Sequence, residues 1–143
     1  MTHRIMVRNL TTLVDLRQRE VDRLVADMAQ KEAVRQRYRS NLDRLAGLCA
    51  GESAQGTSPS LSLNRAAYKQ SVLEMIDQHR TELTLHEADM AVAQCALTAA
   101  SHKRESLGQV LVRKERDAAA EQAQRDQKQQ DELASQVWWR ARR

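Results

Sequence analysis

The side chains best suited to chemistry in this chain are its histidines, cysteines and carboxylates, and their spacing is what must be judged. His79 and His86 lie seven residues apart, two turns along one helical face. A helical zinc pair needs a spacing of four, as in H-E-x-x-H, and neither Cys49 nor Cys95 is placed to complete a ligand set. No metal is expected; a half-buried seam position or a partner contact accounts for both imidazoles. The two cysteines belong to no C-x-x-C or disulfide framework, and no glycine-rich phosphate loop occurs. Carboxylates are abundant, but on solvated helix faces they lack the dry cleft that general acid–base work requires. The expectation is therefore no catalytic residue, no cofactor and no enzyme, leaving binding as the mode of action.

Two basic runs bear on the choice of partner, RQRYR at 35–39 and WWRARR at 138–143. A basic-zipper reader would carry an acid-free basic helix entering a parallel zipper. Here Glu32 and Asp43 flank the first run, and an apolar seam overlaps it. Across the chain, residues 1–50 hold 10 Lys/Arg against 6 Asp/Glu, 51–100 hold 3 against 6, and 101–143 hold 10 against 7. Two basic arms around an acidic middle favour pairing of the halves over nucleic acid. Trp138 and Trp139 beside three arginines are either a frayed tail or an interface anchor, of a kind that suits protein hot spots and membrane interfaces alike.

Positioning any such surface falls to helices. With 3% aromatic residues, no phenylalanine, 4 glycines and 1 proline, the chain lacks the materials of a compact globular core. It is rich in Ala, Leu, Arg, Gln and Glu, strong helix formers that mark long helices with narrow seams. The stretch LCAGESAQGTSPSL, with Gly51, Gly56 and Pro59, divides it. Proline restarts a helix well at its first turn, and Ser58, Ser60, Ser62 and Asn64 are all possible caps. Upstream, a four-three spacing runs through Leu10, Val14, Arg17, Val21, Leu24, Met28, Lys31, Arg35, Tyr38, Leu42, Leu45 and Cys49, a coiled-coil seam diluted by three basic residues. Thr12 with Asp15 resembles a loose capping box near the helix start.

Downstream, the same spacing passes from Val72 through Ile76, His79, Leu83, His86 and Met90 to Ala118, then reaches the charged positions Glu121, Arg125, Lys128 and Glu132. Glu121–Arg125 and Lys128–Glu132 have the spacing of charge pairs. Gly108 is the one weak point in this helix. The expected fold is all-α, a long antiparallel two-helix coiled-coil hairpin forming a single domain over 1–143. Helix 1 covers about 8–49, the loop about 50–61 and helix 2 about 62–138. Leu42 should lie beside Leu73 and Leu10 beside Ala100, with helix 2 projecting bare from about 108. Tyr68, Val72, Met75 and His79 share one face at the seam's edge, as extra core or as a docking stripe. No signal-peptide pattern and no run of 18 apolar residues is present, so a cytoplasmic protein with reduced thiols is expected.

Three stretches together resemble the FliJ family, the small coiled-coil component of the flagellar type III export apparatus. They are TLVDLRQREVDRL (12–24), LNRAAYKQSVLEMIDQHRTEL (63–83) and RDQKQQDELA (125–134). The resemblance implies a stalk similar to the central subunit of rotary ATPases, serving motility and peripheral to the cytoplasmic face of the inner membrane. It implies as partners the hexameric export ATPase (FliI), the export gate protein (FlhA) and flagellar export chaperones. The family's gate-binding positions fall on Tyr68, Val72, Met75 and His79. Its C-terminal signature places ring contacts at Gln127, Lys128, Asp131 and Glu132. The tail WWRARR matches nothing in the family. A hairpin that satisfies its own seam should be a monomer when alone. The rival readings are the equivalent stalk of a virulence secretion system and a generic coiled-coil scaffold dimerising in parallel.

Overall fold

The computed structural model describes residues 2–51 and 58–142, with side chains from residue 5 onward. Its elements are two helices, α1 (Thr2–Ala50) and α2 (Pro59–Ala141), packed against each other in an antiparallel hairpin. The second helix is much the longer, 83 residues against 49. The expected class, pairing and inequality of the helices are all present.

The helix ends differ from expectation for local reasons. α1 begins at Thr2 and not near residue 8, so the Thr12–Asp15 box lies inside the helix. There the Thr12 hydroxyl donates to the Arg8 carbonyl at 3.1 Å, a local bond available to threonine within a helix. The last turn of α1 closes where the Gly51 amide donates to the Gly47 carbonyl at 3.1 Å. α2 opens at Pro59, whose missing N–H would have had no helical partner anyway. Ser58 holds the cap position among the four candidates, its carbonyl accepting from the Ser62 amide at 3.0 Å. Most of the expected loop, 52–57, lies outside the described residues.

The chain forms two compact units, residues 22–98 and residues 1–21 with 99–143. In the first, every α1 position of the expected seam, from Leu24 to Cys49, is half-buried. Val72, Ile76 and Met90 of α2 are its buried core. The register is fixed by a polar layer. The His86 Nε2–H donates to the Lys31 carbonyl at 2.8 Å, and the Tyr38 ring lies 6.2 Å from His79 and 5.9 Å from His86. Lys31 to Tyr38 and His79 to His86 are both steps of seven. Tyr38, nearly equidistant from the two imidazoles, sits level with the turn between them, so Leu42, one turn on in α1, falls toward His79. The expected Leu42–Leu73 pairing is thus displaced along α2. It assumed a symmetric turn near residue 55, whereas the interlocking of seam side chains sets the register. One result is that the first turns of α2 lie past the last residue of α1.

In the other unit, Leu10, Val14, Arg17 and Val21 of α1 are half-buried, and Ala100 of α2 is buried. Val14 shares a shallow groove with Arg104, Gly108 and Leu111. Leu10, one turn earlier on an antiparallel partner, therefore lies further along α2 than Val14 does, and not beside Ala100. The shifted register and the early start of α1 carry cover along α2 further than expected. Leu111, Lys114, Ala118 and Glu121 are half-buried, and the bare run begins at Gln122 rather than near 108. From Gln122 through Arg142 every residue is exposed.

Gly108 stands inside unbroken helix, and a Cβ added there meets nothing within 4 Å. Alanine in a helix interior is favoured over glycine by roughly 0.8–1 kcal/mol. Gly108→Ala should accordingly raise hairpin stability by about that amount. Urea unfolding followed by circular dichroism measures it, and an unchanged or lowered midpoint would count against an unstrained helix at this position.

Candidate functional site

Two stretches of α2 are candidates for binding, one beside its start and one beyond its covered part. Near the start, the four expected residues divide by environment. Tyr68 and Met75 are open to solvent at 46% and 47% exposure, while Val72 is the most buried of the core residues at 4%. His79 is half-buried, its Nδ1–H directed to Glu82 at 3.2 Å and its ring edge-on to Tyr38. Val72 therefore serves as seam, and Tyr68 with Met75 form the accessible part of the stripe. Leu61, exposed and seven residues before Tyr68, continues it. Leu61, Asn64, Arg65 and Tyr68 line one shallow depression. The sequence signal for Leu61 was the spacing of seven, obscured by its place next to the loop.

Further along α2 from the stripe, ion pairs bridge the two helices. Lys31, a seam position, bends its ammonium outward to Asp89, and Arg39 reaches Glu87 at 3.1 Å. The other two basic seam residues are satisfied within α1, Arg17 by Glu20 at 2.8 Å and Arg35 by Glu32 at 2.6 Å. The hydrogen bond to Asp89 raises the Lys31 pKa above the ordinary lysine value, and the same bond holds Asp89 below the ordinary aspartate value. Glu32 is likewise lowered, chiefly by its bond to Arg35. Among the described residues no group of three or more His, Cys, Asp or Glu is placed to hold a metal ion.

The second candidate is the bare run of α2. Gln127, Lys128, Asp131 and Glu132 are all exposed there. Arg125 lies 3.8 Å from Glu121, and the Gln122 amide donates to Asp126 at 2.8 Å, so the start of the run is laced by local pairs. Lys128 and Glu132, expected to pair, form no ion pair. No helix among the described residues is long and apolar enough to cross a membrane.

The family model described as Flagellar FliJ protein matches residues 6–143, nearly the whole chain. The chain belongs to the FliJ family. No curated relative and no solved structure matches closely enough to add to that assignment. As a FliJ-family protein it is a component associated with flagellar type III protein export, built here as a two-helix hairpin. The match takes in both candidate stretches of α2.

Two outcomes test this division of roles. Val72→Ala removes two methyls from the best-buried position and should destabilise by about 1–2 kcal/mol, whereas Tyr68→Ala and Met75→Ala should stay within about 0.5 kcal/mol. Equal losses in all three, measured by denaturant unfolding, would place Tyr68 and Met75 in the core. The ion pairs set the pH response. A carboxylate lowered by folding adds stability above its unfolded pKa, lost as pH falls through the folded value; a raised lysine adds stability that is lost as pH climbs through its raised value. The hairpin should therefore weaken below about pH 4. Asp89→Asn should lower the melting temperature slightly at neutral pH and converge on wild type in acid. Parallel melting curves of the two proteins at every pH would show that the pair contributes nothing.

Proposed function

We propose that this FliJ-family chain is a non-enzymatic stalk that engages the flagellar export ATPase through the bare run of α2 and the export gate through the stripe beside its start. The observation that carries the proposal is the exposure of every residue from Gln122 to Arg142 on a helix whose earlier part is packed. A stalk inside a ring must be stiff enough to transmit force and polar enough not to adhere. The stretch from Gln122 to Glu132 has no large apolar side chain and consists of five glutamines, five charged residues and Ala123. Gln127, Lys128, Asp131 and Glu132 are the ring contacts in this reading, and the gate contacts are Tyr68 and Met75, with Val72 and His79 fixing the helix beneath them. Docking at the gate and escort of export chaperones would keep the protein at the cytoplasmic face of the inner membrane without a membrane span of its own.

The decisive experiment adds the purified protein to the export ATPase and measures ATP hydrolysis. Wild type should stimulate the enzyme. A variant with Gln127, Lys128, Asp131 and Glu132 all replaced by alanine should lose most of that stimulation while the hairpin melts as before, because none of the four supports the seam. Full stimulation by this variant would remove the ring-contact assignment. For the gate, Tyr68→Ala combined with Met75→Ala should reduce affinity by about tenfold or more, as expected of truncating two interface side chains. Unchanged gate affinity would return the stripe to a structural role.

A further inference from the structure

The last turns of α2 hold both tryptophans of the chain in an arrangement that the stalk reading does not use. Trp138 and Trp139 are 51% and 68% exposed, their rings meeting edge to face with centroids 5.5 Å apart. The Arg142 guanidinium lies over the Trp138 ring, 4.1 Å from its centroid. Val137 beside them is exposed as well. Successive residues of an α-helix point about 100° apart, so Val137, Trp138 and Trp139 cover an arc of about 200° and Arg140 falls in the gap that remains, a collar and not a stripe. From Leu133 to Arg142 there is no acidic residue, and Arg140 and Arg142 supply the only charge.

A protein groove touches one side of a helix, and an apolar stripe is the shape that fits it. A collar with basic residues at the same level suits a medium that surrounds the helix. The headgroup zone of a bilayer is such a medium: tryptophan rings settle at its apolar boundary while arginines meet lipid phosphates. The contrast with the run just before is sharp, since Gln122 to Glu132 offers neither large apolar groups nor a net basic patch. We propose that Val137, Trp138, Trp139, Arg140 and Arg142 form a lipid-interface anchor that binds anionic bilayer surfaces. The collar enters the headgroup layer and does not cross it. A short apolar collar with few charges gives reversible binding, strengthened by anionic lipid and weakened by salt. This anchor is separate from the ring contacts at Gln127–Glu132 and stands or falls without them.

Because both tryptophans lie in the collar, the fluorescence of the intact protein reports on it alone. Vesicles of phosphatidylglycerol mixed with phosphatidylcholine should shift the emission to the blue and carry the protein down in sedimentation. Partitioning should be about tenfold or more stronger than into pure phosphatidylcholine, and raised salt should reverse it. R140Q/R142Q should lose the preference for anionic lipid, and W138S/W139S should lose sedimentation, while circular dichroism melts of both match wild type. Absence of a blue shift with phosphatidylglycerol vesicles at low salt overturns the proposal. So does sedimentation that survives W138S/W139S, which would assign binding to basic residues elsewhere. A shift that appears only on adding the ATPase ring would assign the collar to a protein partner and equally overturn it.

Discussion

A two-helix interface buries only the side chains that face one another, and among the described residues only Val72, Ile76, Met90 and Ala100 are well buried. Among the described residues there is no third element to cover a misplaced side chain. Stability therefore depends on the register of one seam, because a slip by a turn would bring unlike side chains into opposition along it. The polar layer of Tyr38, His79, His86 and Lys31 resists that slip. His86 satisfies itself on the Lys31 carbonyl, and a slipped pairing would leave its imidazole half-buried with no acceptor. Polar seam residues in coiled coils trade stability for register in this way. Two histidines whose spacing first raises the question of a metal are explained by that trade.

The same thin seam explains how binding surfaces coexist with packing on one helix. Val72 and Ile76 are held in place while Tyr68 and Met75, on the same turns, stay open. The residue that fixes the helix and the exposed residues proposed to meet a partner are thus neighbours, so truncation of Val72 would disturb the stripe by loosening its base. The offset at the start of α2 adds to this. Past the last residue of α1, Leu61 has no partner from that helix, and it prolongs the stripe by one heptad.

Most of the fold was legible because a heptad leaves a period in the sequence. All twelve α1 positions singled out by four-three spacing are half-buried, and of the α2 positions from Val72 to Ala118 only Arg104 is exposed. What the period does not encode is where two periodic strings meet. Either register satisfies a four-three pattern, and the choice rests on the fit of Tyr38 between two imidazoles. Hence the pairing of Leu42 and the reach of cover to Glu121 emerge only in three dimensions. Helix ends were missed for a related reason: Thr12 has the composition of a cap, yet its hydroxyl can bond to a carbonyl four residues back within a helix. At the stripe, composition marked Tyr68 and Met75 as an edge, but whether an edge is covered depends on a neighbour whose position the register decides.

The bare run of α2 draws its order from the seam without sharing in it. An isolated helix must first form a nucleus, and that step is unfavourable; extension from an existing helix adds one hydrogen bond for each residue fixed. Packed turns up to Glu121 supply the nucleus. Beyond them Ala123 and the glutamine-rich stretch extend it at little cost, aided by Glu121 with Arg125 and Gln122 with Asp126. Each such pair is worth about 0.2–0.5 kcal/mol, so the order of the run declines with distance from Glu121 and cannot be made independent of the hairpin. A change that loosens the seam should thus fray the run even though it touches none of its residues. Enclosure by a partner would have the opposite effect, since a ligand that binds only the helical form stabilises that form in proportion to its occupancy. Lys128 and Glu132, which form no ion pair with one another, are free to contribute to that enclosure.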